Sequence, residues 1–259
     1  MLDRLKAELL KRAGNSIAGS ASEMPSEFVS IMLQQIDQNY NLELSLIACA
    51  SSLWCGADEY TGMPVAVGAL FLRAGISAHI GLCEFGDELS VYDSLKGYED
   101  AEIILAGDGL IALAMQYLSE NGGRHSARIT AEAVKAAGAG GTLSGLSVAL
   151  DRKHGIRTAV PDGRAAFELY NGQLARFTSH CGAMLAGASD LMLDDAAQIG
   201  LLTGRALFLS KRSVTERDAG KKEKLLFQAR SLIQEAESIT GTKNNASLFN
   251  TLLYLSDFF

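Results

Sequence analysis

The sequence predicts an all-α protein, and three observations support that class. The chain has only three prolines, Pro25, Pro64 and Pro161, in 259 residues. Alanine and leucine dominate over valine and threonine, which favours helix over sheet because β-branched residues suit strands better than helices. Apolar residues also recur at helical intervals along most of the chain, and few strand candidates remain.

The helical period predicts the order of the helices. Predicted helices cover 28–36, 44–53, 65–82, 103–118 and 225–236. Asn245 is placed to cap a last helix that contains Leu248, Leu252 and Leu255. Three interior segments, 65–83, 103–118 and 174–188, carry apolar or small residues on almost every face. Such segments predict a central buried helix surrounded by other helices.

Glycine, proline or charge interrupts the apolar period at several points along the chain. The predicted breaks lie near 55–58, 93–100, 121–123, 151–162 and 212–222. None is long enough to be a domain linker, and no internal repeat is present. We therefore expect a single domain, residues 1–259, with about nine to eleven helices joined by short loops.

The charge balance excludes one class of partner and indicates a compartment. Acidic residues outnumber basic ones by 30 to 23, for a net charge of −7. No basic run is dense enough to follow a phosphate backbone, so we expect no nucleic-acid partner. No apolar stretch looks long enough for a signal peptide or a membrane span, which predicts a cytoplasmic protein.

Several polar or glycine-rich features have structural explanations that we prefer to functional ones. The four cysteines have no zinc-ligand spacing, and we expect buried free thiols. The glycines of 138–145 predict a loop or close helix packing rather than a nucleotide-binding turn. His180, between Ser179 and Cys181, is expected to be a packing residue, and 221–224 a solvated charged face.

Two glycine-bearing segments resemble a known family. They are 104–114, which reads ILAGDGLIALA, and Gly172 followed by 182–189, which reads GAMLAGAS. In order and spacing they are similar to two helices of the trans-isoprenyl diphosphate synthases, also called polyprenyl synthetases, and the similarity runs from about Leu42 to the C-terminal helices. The resemblance implies the isoprenoid-synthase helical bundle.

The resemblance also implies a chemistry that this chain does not match. The family joins an allylic diphosphate to isopentenyl diphosphate, and magnesium held by two DDxxD motifs stabilises the leaving diphosphate. An alignment anchored on Gly172 and Gly182 places the second DDxxD on 207–211, which reads LFLSK. Every acidic residue is replaced there, and Lys211 repels a cation where a carboxylate is expected.

Other positions implied by the resemblance have changed as well. The family's Lys-Thr pair falls on Tyr170-Asn171, and a glutamine falls on Gly204. A second glutamine and an aspartate are replaced by Leu146 and Ala149. No Gly-Lys-Arg is found in 38–45, where the family binds its second diphosphate.

The first DDxxD is expected within 82–89, where the chain is shortened. Glu84, Asp87 and Glu88 remain acidic there, and Glu84 and Glu88 share a helical face. They are either a solvated helix end or a weak cation site. No Arg-Arg pair follows, because Lys96 is the only basic residue between Glu88 and Glu102. We predict no catalytic, cofactor-binding or metal-ligating residue and no cofactor.

These replacements lead to three hypotheses about function. The first is a non-catalytic subunit or regulator of prenyl diphosphate chain elongation, in a homo- or hetero-oligomer with an active synthase. The second is a helical protein that binds an apolar prenyl or lipid ligand in the former elongation cavity. The third is an active polyprenyl diphosphate synthase, a prenyltransferase with an altered site.

Overall fold

The computed structural model describes residues 1–20, 25–37, 39–82, 95, 97–139, 141–153 and 163–241. Within these ranges the chain forms ten α-helices and a short 3-10 helix, and it forms no β-strand. The prediction of an all-α protein is confirmed. The predicted last helix, which contains Leu248, Leu252 and Leu255, lies outside the described residues.

The helices follow one another with short connections where the connections are described. Their bounds are Leu2–Ser20 for α1, Ser26–Ile36 for α2, Asn39–Trp54 for α3, Met63–Leu82 for α4, Asp100–Asn121 for α5, Ser126–Ala137 for α6, Thr142–Lys153 for α7, Gly163–Leu185 for α8, Asp190–Thr215 for α9 and Ala219–Thr240 for α10. The 3-10 helix, Gly123–His125, joins α5 to α6.

Local capping determines where several helices begin. Glu99 and Glu102 form a capping box at the start of α5, in which the backbone N–H of Glu99 donates to Glu102 Oε2 at 2.9 Å. Asp218 Oδ1 accepts from the backbone N–H of Lys221 at 2.9 Å and so caps α10. Such caps satisfy backbone N–H groups that have no partner inside the helix.

Helix α4 lies at the centre of the bundle, as the sequence predicted for 65–83. It packs against α5 most extensively and also contacts α1, α2, α3, α6 and α8. Within Met63–Ile80, 89% of the residues are buried. Phe71 is fully buried and contacts Tyr117 of α5 edge to face, with ring centroids 5.9 Å apart. The helix is apolar all round because protein surrounds it.

The glycines of the two resembling segments mark close helix crossings. A Cβ atom at Gly107 would lie 2.9 Å from Ala78 Cβ, so α5 approaches α4 at a distance that only glycine permits. A Cβ atom at Gly182 would lie 2.3 Å from the backbone oxygen of Ala48, which brings α8 equally close to α3. Both segments therefore serve first as packing elements of the fold.

Helix α5 corrects the prediction that 103–118 is surrounded on all sides. Only 39% of Asp100–Asn121 is buried. Ile104 and Leu105 remain 39% and 60% exposed, whereas Ile103, Leu110 and Leu118 are buried. Composition does not distinguish an apolar face that packs within the chain from one that is left outside it, and this is why the prediction was wrong.

Helices α4 and α5 contradict the prediction that no segment is long enough to span a membrane. By length and composition alone, α4 and α5 both qualify. The burial of α4 is that of a core helix, since protein rather than lipid surrounds it. The apolar surface of α5 is part of the candidate functional site.

Candidate functional site

The segment expected to hold the second acidic motif packs inside the chain. Leu207 is 3% exposed and belongs to the main hydrophobic core. Phe208 and Leu209 form a smaller apolar cluster with Ala229 of α10, against which Leu225 also packs. Three of the five positions in 207–211 therefore hold apolar side chains inside the protein, where a carboxylate would lose its hydration.

A buried polar bridge joins α4 to α8. Arg73 and Asn171 are only 6% and 2% exposed. Arg73 Nη1 donates a hydrogen bond to Asn171 Oδ1. Asn171 is the residue aligned with the family's threonine, but sequence reasoning did not single out Arg73. A signal was present, because Arg73 is the only lysine, arginine or acidic residue in the twenty-residue helix α4.

A second polar link joins α1 to α3. Glu43 has a side chain only 5% exposed, and its Oε1 lies 3.2 Å from Lys6 Nζ. Glu43 belongs to 38–45, the stretch in which the resemblance implies a basic Gly-Lys-Arg. A carboxylate thus occupies the side of the bundle where a cationic group was expected.

Lys211 at the C-terminal end of α9 completes this region. Desolvation by burial and, to a smaller extent, the charge of Arg73 lower the pKa of the Lys211 amine to about 8, while the charge of Glu43 opposes the change. Part of the Lys211 surface is nevertheless exposed to solvent. Lys6, Glu43, Arg73, Asn171 and Lys211 are called the central polar cluster below.

The central polar cluster does not fit magnesium. Its charged groups are three cations and one carboxylate, whereas magnesium requires several oxygen ligands. Across the described ranges, no group of three or more histidine, cysteine or acidic side chains is placed to hold a metal ion. Glu84, Asp87, Glu88 and Lys96 lie outside the described residues.

Three more of the aligned positions are only partly described. Leu146 and Ala149 lie on α7, and Tyr170 lies on α8. Their side chains are not among those that the structure describes. All three positions lie on helices.

The aspartate of the first resembling segment is on the outside of α5. Asp108 is 62% exposed, and its Oδ1 lies 3.1 Å from His79 Nε2 of α4. Ala101, Leu105 and Ala112 are exposed on the same side of α5. We call the exposed residues Ala101, Ile104, Leu105, Asp108 and Ala112 the α5 face.

The sequence analysis preferred structural roles for His180 and for the cysteines, and the structure bears on each of them. His180 Nδ1 lies 3.2 Å from the backbone oxygen of Leu193, which makes His180 a satisfied packing residue. Burial raises the pKa of the Cys181 thiol, and it raises that of Cys49 to about 12, so both are poor nucleophiles. Cys55 forms no disulfide but is only half-buried, so the prediction of buried thiols holds for Cys49 and Cys181 and not for Cys55. Cys83 lies outside the described residues.

Residues 138–145 were predicted to form a loop or a close helix contact, and residues 221–224 a solvated charged face. Helix α6 ends at Ala137 and Gly138 is its C-cap. The backbone N–H of Gly141 donates to the backbone oxygen of Gly138 at 2.9 Å, and α7 begins at Thr142. Gly138 and Gly141 thus lie in the connection between the two helices, whereas Gly145 belongs to α7. Residues 221–224 are exposed at the start of α10.

Comparisons by sequence give no match, because neither a family model nor a curated protein matches the chain. Comparisons by structure match over almost the whole length. A farnesyl/geranylfarnesyl diphosphate synthase from Zymomonas mobilis superposes with a TM-score of 0.73 at 19% identity, covering 99% of this chain and 100% of that one.

Two further matches are assembly components of geranyl diphosphate synthases. A heterotetrameric geranyl pyrophosphate synthase from mint gives a TM-score of 0.72 at 18% identity, covering 97% of this chain and 98% of that one. A geranyl diphosphate synthase small subunit from Antirrhinum majus gives 0.65 at 16% identity, covering 96% and 98%. The chain therefore has the fold of the isoprenyl diphosphate synthases, which its two glycine-bearing segments predicted.

Proposed function

We propose that this chain is a non-catalytic homologue of the prenyl diphosphate synthases that acts as a subunit or regulator of isoprenoid chain elongation in the cytoplasm. The observation that carries the proposal is the packing of Leu207, Phe208 and Leu209 within the chain. The family resemblance aligns these residues with the second metal-binding motif, at the position where the alignment is best anchored.

The expected chemistry depends on that motif. Ionisation of an allylic diphosphate develops negative charge on the leaving group, and metal ions supply several kcal/mol of stabilisation to such charge. Here Lys211 and Arg73 place positive charge beside the segment, and the aligned carboxylates are absent. This arrangement disfavours a divalent cation.

The α5 face supports an assembly role. Ile104 and Leu105 are large apolar residues on the outside of a helix that is only 39% buried. Exposed contiguous apolar surface is typical of a protein–protein contact site. We infer that an active prenyl diphosphate synthase of the same fold docks against the α5 face. The heteromeric geranyl diphosphate synthases among the structural matches are consistent with such pairing.

The second hypothesis, an apolar ligand between the helices, has less support. The Arg73–Asn171 bridge joins α4 to α8 in the interior. An apolar chain that entered between these helices would face a buried guanidinium group, which is a poor environment for it. Large side chains such as Phe71, Leu46 and Met63 are already fully buried in the core.

Co-expression with an aspartate-rich prenyl diphosphate synthase from the same genome tests the proposal. We expect the two chains to co-purify and the product length of the synthase to change. Leu105→Glu should abolish the association, because a charge would enter the α5 face. Leu191→Glu is the matched control, since Leu191 is 73% exposed at the start of α9, away from that face. A stable homodimer that ignores the synthase would contradict the proposal.

A further inference from the structure

A large aromatic side chain points outward from the N-terminal half of α10. Phe227 is 73% exposed. Ala229, Ile233 and Ala236 form the buried side of this helix, which packs against α9. On a helical projection Phe227 lies opposite these three residues, so its ring is directed away from the bundle.

Basic residues are concentrated in the same half of α10. Residues 219–230 contain four basic side chains and one acidic side chain, in a protein whose net charge is −7. Residues 231–240, the second half, contain two acidic side chains and no basic one. Lys224 precedes Phe227 by three residues, which places its side chain beside the ring on the outer side of the helix. We call Lys221, Lys222, Lys224 and Phe227 the α10 surface.

Helix stability does not explain the three lysines of the α10 surface. The N-terminus of a helix carries a partial positive charge, which favours acidic side chains there and disfavours basic ones. Beyond the N-cap Asp218, the first turn of α10 holds no acidic residue. All three lysines are exposed, and in the part of the chain that the structure describes none of their side chains forms an ion pair. Their charge therefore faces solvent uncompensated.

Leu191 of α9 is the counterpart of Phe227 with the opposite charge around it. It is also 73% exposed. Asp190, Asp194 and Asp195 lie within four residues of Leu191 in the sequence. Acidic side chains near the N-terminus of a helix are ordinary, because they complement its partial charge. The surface around Leu191 thus offers the same apolar exposure as the α10 surface, but it repels anions.

A lipid surface fits the α10 surface better than a protein partner does. Within one turn of Phe227, the exposed residues of α10 are all polar or charged: Glu223, Lys224, Gln228, Arg230 and Ser231. A stable protein–protein interface needs a larger packed centre than one ring provides. A fluid membrane interface, in contrast, accepts a single aromatic side chain with basic groups beside it.

We propose that the α10 surface binds an anionic lipid membrane, with Phe227 inserted at the level of the headgroups and the lysines against the lipid phosphates. An anionic leaflet attracts basic side chains near its surface. Lysine has a long apolar stem, so its amine reaches the headgroups while the ring is buried beside it. The attachment is peripheral and reversible, because one ring and a few charges are a weak anchor. The inference does not use the α5 face and goes beyond the proposed function.

Co-sedimentation of the full chain with lipid vesicles tests the inference. One set of vesicles contains phosphatidylcholine alone, and the other contains phosphatidylcholine and phosphatidylglycerol in equal parts. We expect binding to the anionic vesicles only, and release by added salt, because salt screens exposed charges. Circular dichroism establishes that each variant is folded.

Three variants identify the groups that bind. Phe227→Ser should weaken binding about tenfold, since it removes a large apolar side chain from the lipid. Combined substitution of the three lysines by glutamine should weaken it by more than about tenfold. Leu191→Ser is the matched control for Phe227→Ser, because it removes an equally exposed apolar side chain, and it should bind as the native chain does.

Tryptophan fluorescence reports which side chain enters the lipid. Trp54, the one tryptophan of the chain, is 2% exposed and supplies a constant background. In Phe227→Trp, anionic vesicles should shift the added emission to shorter wavelength, and brominated lipid should quench it. Leu191→Trp is the control and should show neither change.

Several results would overturn the inference. They are absence of binding to anionic vesicles, equal binding to both kinds of vesicle, and equal binding by the native chain and Phe227→Ser. If Phe227→Ser instead abolished association with a co-expressed synthase while the native chain ignored vesicles, the α10 surface would belong to a protein partner and the inference would be wrong. The vesicle results do not depend on whether a synthase co-purifies, so the inference and the proposed function can fail separately.

Discussion

Gly204 of α9 packs directly against the backbone of Asn171 in α8. A Cβ atom at Gly204 would lie 2.6 Å from the backbone oxygen of Asn171 and 2.5 Å from Ala175 Cβ. The family resemblance places a glutamine at this position. The close crossing of α8 and α9 leaves no room for that side chain, so the helix packing of this chain is incompatible with the family's residue there.

Gly204→Ala should therefore destabilise the protein. Real Cβ atoms do not approach backbone atoms so closely, and the helices must separate to admit the methyl group. We expect the free energy of unfolding to fall by about 1–3 kcal/mol, the usual range for overpacking. Chemical denaturation measures this change.

The control for that prediction is Gly14→Ala. Gly14 lies inside α1, and a Cβ atom there would meet nothing within 4 Å. Alanine is the better helix former by about 0.5–1 kcal/mol, so this variant should be as stable as the native protein or more so. Equal effects of the two substitutions would show that α8 and α9 do not cross as closely as described.

Restoring acidity to the segment 207–211 should damage the fold rather than restore catalysis. Leu207→Asp places a carboxylate in the main core, where Leu207 is 3% exposed. We expect a loss of more than about 3 kcal/mol in the free energy of unfolding, as for other unpaired buried charges. Lys211→Asp at the accessible end of the segment should leave the protein folded. Turnover of allylic and isopentenyl diphosphates by a stable Leu207→Asp variant would refute this account of the segment.

The amine of Lys211 should titrate near pH 8, in contrast to an ordinary lysine. NMR of isotopically labelled lysine measures the pKa directly. Arg73→Gln should raise it, because a repelling cation is removed, and Glu43→Gln should lower it, because an attracting carboxylate is lost. The same direction of change in both variants would mean that the cluster is not arranged as described.

The lowered pKa of Lys211 also has a consequence for stability. The unfolded chain keeps this proton up to the ordinary lysine pKa of 10.5, whereas the folded chain releases it from about 8. The charged amine thus disfavours folding below about pH 8, and this penalty disappears as the pH rises from about 8 to about 10.5. In Lys211→Met, the free energy of unfolding should rise less across that interval than in the native protein. An identical rise in both proteins would contradict the assignment.

The sequence predicted the helical class because the apolar period is a local signal. Gly107 and Gly182 carried the family resemblance, but their place at close helix crossings was seen only in the structure. The exposed Leu105 could not be predicted, because an apolar helix face has the same composition whether its own chain or another chain covers it.

The central polar cluster was equally difficult to predict. Lys6, Glu43, Arg73 and Lys211 are far apart in the sequence, and only tertiary packing brings them together. Arg73 alone gave a local signal, as a lone charge in an apolar helix. A buried charge requires a compensating environment, but the sequence does not identify the residues that supply it.

The most direct test of the central claim is turnover by the purified chain alone. The assay contains an allylic diphosphate, isopentenyl diphosphate and magnesium, with a known prenyl diphosphate synthase as the positive control. The account predicts no elongated product from this chain. Formation of a longer prenyl diphosphate at a rate that scales with the amount of the chain would contradict it.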